Sequence, residues 1–231
     1  MSKSNLLKFI AVFFCVISTS LLFSQEEDEE DFDDETYTRI KPKQSFTVEL
    51  GMPVTFANKG FKGFLQGMLN ISPYYHYNFQ NNISLGVGVN YNFFWINHVL
   101  APDPNNVGAI HSMGGFFELG YEKFYTDRVG VDFSLKSGIS QINYYSTNNR
   151  ALGLGTPKQN VAFVEPTFSL IVTANESTSY RWIIGYVVQN YKFDPTKLGF
   201  SDAKEYHTSD YNKLTQFLSF GFGFTYYFKQ H

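Results

Sequence analysis

Seven ionisable side chains fall in step with glycine, serine, threonine and asparagine along this chain: Glu49, Glu118, Glu122, Asp132, Lys136, Glu165 and Arg181. Five acids and two bases on one otherwise small, polar face could do two kinds of chemistry. Enclosed together they form a salt-bridged network, because a charge stripped of water needs a partner. Threaded by water, the same groups line a narrow ion or proton path in which acids predominate. The enclosed network is the expectation, and with it no wide pore.

Catalytic chemistry finds less to work with. The histidines are His76, His98, His111, His207 and His231, and only His111 stands beside a candidate nucleophile, Ser112. Neighbours on a strand point to opposite faces, so these two would not make a base–nucleophile pair. No Cys/His spacing suits zinc, and Asp194, Asp202, Glu205 and Asp210 lack the spacing of a calcium loop. The small-residue run from Ala151 to Gly155 lacks the strand–helix setting of a phosphate loop and reads as a flexible connection. The expectation is therefore no catalytic residue, no metal, no cofactor and no nucleic-acid partner.

The densest charge lies near the start. Glu26, Glu27, Asp28, Glu29, Glu30, Asp31, Asp33, Asp34 and Glu35 fill nine of ten positions, interrupted only by Phe32. Like charges this close repel and hold a segment extended, so residues 25–43 read as a solvated, disordered tail. Its chemistry would be the docking of a basic periplasmic partner or a calcium-dependent contact. Beyond Glu35, 12 acids face 16 bases over 196 residues, so the net charge of −3 conceals a mildly basic body.

Strands must position these groups. Period-two alternation marks eight segments, near 44–56, 68–79, 82–97, 111–125, 128–145, 161–174, 179–193 and 214–228. In the third, Leu85, Val87, Val89, Tyr91, Phe93 and Trp95 share one face, and Gly86, Gly88, Asn90 and Asn92 the other. The eighth sets Leu218, Phe220, Phe222, Phe224, Tyr226 and Phe228 against Ser219, Gly221, Gly223 and Thr225. A lipocalin-like barrel in water would alternate too, with its apolar face turned inward. Here the polar face is poor in Lys and Glu, aromatics gather at strand ends, and several segments exceed the roughly 10 residues that cross a bilayer. Aromatics reach 19% and charged residues only 17%, against about 25% charged in an ordinary soluble domain. These features turn the apolar face outward, to lipid.

The remaining signals concern export and topology. Lys3 and Lys8 precede an apolar run from Phe9 to Phe23, and Ser24 offers a small residue before Gln25, the layout of a cleaved signal peptide over 1–24. The single cysteine, Cys15, lies inside that run, so the mature chain would have no disulfide. Connections after the second, fourth and sixth segments are short (Gln80–Asn81, Thr126–Asp127, Asn175–Thr178). Those near 57–67, 98–110, 146–160 and 194–213 are long. Short periplasmic turns and long external loops are the rule for outer-membrane barrels, and the parity fits if both termini are periplasmic. The long loops would then be generic surface or a recognition site.

With its signal ending Phe23-Ser24-Gln25, its alternating loop lengths and its aromatic last strand from Phe220 to Phe228, the chain resembles the small outer-membrane barrel families over about 44–228. These are the OmpA/OmpX-like transmembrane domains and the PorT-like barrels associated with gliding and type IX secretion. The resemblance implies that the barrel-assembly machinery reads the final strand. Lys229, Gln230 and His231 follow Phe228, a departure of three residues from that pattern. Such families include adhesins, structural anchors and secretion accessories, so the fold leaves function open. The expectation is an all-β chain: one eight-stranded antiparallel transmembrane β-barrel over 44–229, in the outer membrane of a Gram-negative bacterium, contacting its lipids. The leading role is a structural or interaction component with an envelope partner on the acidic tail or the loops. A small transport or pore-forming barrel is second, and a lipid hydrolase at the rim third.

Overall fold

Alternation becomes pairing in the computed structural model, which describes residues 43–228 apart from 57, 80, 102–104, 154 and 201–212. The expected signal peptide 1–24 and the acidic stretch Glu26–Glu35 lie outside the described residues. The strands are β1 (Gln44–Thr55), β2 (Leu65–Asn78), β3 (Ile83–Ile96), β4 (Gly108–Phe124), β5 (Val129–Ser146), β6 (Lys158–Asn175), β7 (Thr178–Lys192) and β8 (Leu214–Tyr227). Each pairs antiparallel with the next, and β8 returns to β1, so the sheet closes with no free edge.

The inside–outside assignment is the reverse of a water-soluble protein's. Phe117 is 75% exposed and Phe222 65%, while Lys136 and Arg181 are 0% and 1% exposed. Leu50, Leu85, Val87, Leu119, Phe133 and Trp182 also face out. An apolar belt of this extent is stable only against hydrocarbon, and closure leaves no strand edge that would need water. Ring pairs sit near the short-turn end (Tyr77–Phe79, Tyr226–Phe228) and the long-loop end (Phe93–Trp95, Phe56–Tyr186). These are interfacial girdles.

Closure depends on close approach at the β1–β8 seam. Gly51 and Gly221 are direct partners there. A Cβ on Gly221 would lie 2.3 Å from the carbonyl oxygen of Leu50 and 2.8 Å from Cα of Gly51, both backbone atoms that cannot swing aside. Gly221→Val is therefore expected to lower sharply the yield of folded barrel on refolding into lipid, read as loss of the compact band on an unheated gel. Wild-type yield would show that the seam has slack.

The long connections fold back into the mouth. Helix α1 (Lys59–Phe64) lies between β1 and β2, α2 (Thr147–Ala151) between β5 and β6, and a 3₁₀ turn, Pro195–Leu198, follows β7. With inward residues of the strands they enclose an apolar core that includes Phe61, Phe64, Phe94, Phe193, Phe200 and Phe217. The loops are thus not mere surface. Ala151 ends α2, and Gly153 and Gly155 take left-handed turns into β6.

Candidate functional site: the filled lumen and its cap

The seven ionisable residues singled out from the sequence all lie inside the barrel, between 0% and 4% exposed. Strand register sets their order. Glu118 of β4 faces Lys136 of β5, which faces Glu165 of β6; Glu122 faces Asp132. On the other wall Arg181 of β7 and Glu49 of β1 both flank Gly223 of β8. A Cβ on Gly223 would meet Cδ1 of Ile183 at 2.9 Å, Cβ of Arg181 at 3.3 Å and Cγ of Glu49 at 3.6 Å, so this glycine leaves room for the side chains around it.

Two ion-pair groups cross the lumen. Lys136 Nζ donates to Glu49 Oε2 at 2.5 Å. Their strands, β1 and β5, stand on opposite sides of an eight-stranded ring, so the bridge spans the bore. Tyr74 Oη donates to the other oxygen of Glu49 at 2.7 Å. The rings of Tyr74 and Phe116 lie 4.9 Å and 5.5 Å from the ammonium, adding cation–π attraction in a dry setting. Arg181 Nη2 donates to Glu122 Oε2 at 2.5 Å, Nε donates to Thr225 Oγ1 at 2.8 Å, and Nη1 sits 3.4 Å from Asp132 Oδ2. Thr225 shares a hydrogen bond with Thr47, and Thr47 one with His76. The His76 ring packs edge-on against Tyr74 at 5.2 Å, which joins the two groups. Glu118 makes no hydrogen bond among the described residues. The carboxylate of Glu165 lies over Gly185, where a Cβ would approach it to 2.6 Å.

Towards the long-loop end, polarity gives way to the apolar core. Phe61 packs on Phe94 and Phe193 at 5.1 Å and 5.5 Å, and Phe94 packs on Phe217 at 5.2 Å. Three buried asparagines tie this cap together. Asn58, Asn106 and Asn149 come from three different long connections, and each donates its amide to a backbone carbonyl of the fourth. Their acceptors are Lys213 at 2.9 Å, Leu198 at 2.8 Å and Lys197 at 2.6 Å. Lys197 also donates to Gln159 of β6. The rings of this half are buried, so the bore is filled by ion pairs at one level and by rings at the next.

Sequence reasoning separated the faces but missed the ring residues of the inner one. Tyr74 shares the parity of His76, and Phe116 that of Glu118. Parity alone was the available signal, and an inward aromatic offers no other. His111 and Ser112 take opposite faces: Ser112 is 1% exposed inside, while His111 lies outside among Tyr91, Phe93 and Tyr145. Among the described residues, no group of three His, Cys, Asp or Glu side chains has a metal-binding arrangement.

A closed eight-stranded antiparallel barrel, apolar outside and charged inside, defines a small transmembrane barrel of the outer-membrane type. No protein-family model and no curated protein matches the chain. Among solved structures it is similar to the attachment invasion locus protein of Yersinia pestis bound to sucrose octasulfate, at 8% identity and TM-score 0.46, covering 81% of this chain and 99% of that one. It is also similar to Neisserial surface protein A (9%, 0.46, 80% and 95%). OprG from Pseudomonas aeruginosa is a third such structure (11%, 0.47, 81% and 98%).

Proposed function

We propose that this protein is a non-enzymatic structural or interaction component of the outer membrane, with short turns and termini in the periplasm and its cap outside. One observation carries the reading: the bore is filled across its width by Lys136–Glu49 and Arg181–Glu122, and its outer half by packed rings. Such a barrel is suited to holding something, and poorly suited to passing it. Opposite orientation of His111 and Ser112 weighs against a hydrolase at the rim. With the signal removed, the acidic tail 25–43 would begin the mature chain. Its nine acids offer a strip for a basic envelope partner, in the manner of an accessory subunit of a secretion assembly.

Affinity purification of the tagged full chain from outer membranes, beside a variant lacking residues 26–35, tests this. The expected result is a stoichiometric partner that is held at low salt and lost both from the deletion and at high salt. A partner retained equally by the deletion would move docking to the loops. A lone barrel in every preparation would overturn the subunit reading.

A further inference from the structure

We propose that a notch at the long-loop rim, between Trp95 and Tyr145, seats the phosphorylated headgroup of a glycolipid from the leaflet around it. The notch follows from register. Trp95 of β3 pairs with Ala109 of β4, which pairs with Tyr145 of β5, and all three face outward. The small Ala109, 7% exposed between the two large rings, helps to line a cavity of about 420 Å³ that extends to the neighbouring loop residues. The walls are preset. The His111 ring, one rung deeper, packs edge-on against Tyr145 at 5.1 Å, and His111 Nδ1 shares a hydrogen bond with Tyr91 Oη at 2.7 Å.

Charge and direction select the occupant. The cavity is lined by the outward-facing Trp95, Ala109 and Tyr145 of the strands and, from the long connection after β5, by Arg150 of α2 and by Thr156. Arg150 is exposed, and no carboxylate pairs with it among the described residues. Passing from mid-membrane towards the loops, a ligand would meet apolar rings, then the indole and phenol faces, then a guanidinium and a hydroxyl. A phosphorylated glycolipid presents the matching series of acyl chains, sugar ring and phosphate. The guanidinium suits the phosphate, and the ring faces suit the apolar face of a sugar. A free anion would gain only one exposed cation, whereas the tails hold the lipid at the notch by their own burial.

The assignment rests on the proposed orientation, which puts this rim in the outer leaflet. The full chain would be reconstituted in phosphatidylglycerol–phosphatidylcholine nanodiscs with or without a bis-phosphorylated glucosamine lipid, and retained lipid read by native mass spectrometry. The wild type is expected to keep one glucosamine lipid. R150E and A109W, checked for folding by unheated gel mobility, should keep it about tenfold less well, the loss of one charge-assisted contact. In parallel, L152C on intact cells would be treated with an impermeant maleimide; Leu152 is 64% exposed. Labelling on intact cells supports the orientation, and labelling only after lysis overturns it and the glycolipid with it. Labelling on intact cells with equal retention by R150E and A109W would overturn the notch alone. Equal retention of phosphatidylglycerol would overturn the sugar's part.

Discussion

Arg181→Met is expected to lower the stability of the barrel by about 3–5 kcal/mol, the range for removing one member of a buried charge cluster. Arg181 is 1% exposed, and it donates to Glu122 and Thr225 and faces Asp132. Its removal takes the paired guanidinium away from Glu122 and Asp132 inside a closed bore, where the ammonium of Lys136 is bound to Glu49. Methionine keeps most of the volume, so the loss is electrostatic and not a cavity. The measurement is the urea midpoint of the barrel in lipid vesicles, followed by the heat-modifiable gel shift. The triple variant R181M/E122Q/D132N is expected to regain most of the loss, because neutral partners no longer need the guanidinium. An unchanged midpoint for R181M would mean that water reaches these carboxylates and the bore is not filled.

Phe64→Ala should produce the second large effect, confined to the cap. The ring is fully buried and lies 4.9 Å from Phe200 and 5.9 Å from Phe193. Truncating a buried Phe costs about 3–5 kcal/mol. The strands are held by their own ladders, so the cost falls on the closed state of the cap. Trypsin reports it directly, because Lys62 ends a turn of α1 and Lys197 lies in the 3₁₀ turn. Where opening is fast relative to cleavage, cutting at these lysines should speed up by about a hundredfold or more. Cleavage at the wild-type rate would show that the rings are a loose filling.

The strands were legible because one face of each must be apolar and the other small. Expected 44–56 is observed as Gln44–Thr55, and expected 214–228 as Leu214–Tyr227. Expected 68–79 begins three residues earlier, at Leu65, because a register shift between Gly67 and Leu69 breaks the alternation. The charged face was legible for the same reason, since Glu, Asp, Lys and Arg stand out among Gly, Ser and Thr. Its pairing was not. Glu49 and Lys136 are 87 positions apart and meet only because closure sets β1 opposite β5. The cap was illegible for a different reason. Phe61, Phe64 and Phe200 lie in connections without periodicity, Phe193 stands at the very end of the expected seventh segment, and their burial depends on four loops meeting over one mouth. Asn58, Asn106 and Asn149 read as ordinary loop residues until their shared target is seen.

A barrel blocked at two levels by different physics should be hard to open by accident. Weakening the cap leaves the ion pairs in place, and removing Arg181 leaves the rings. Planar-bilayer recording of the full chain, purified folded from outer membranes, tests the filled bore most directly. The account predicts no stable conductance steps from the wild type, and none from F64A, in which Lys136–Glu49 and Arg181–Glu122 still cross the lumen. Stable, large steps from the wild-type protein would contradict it and make the barrel a transport pore.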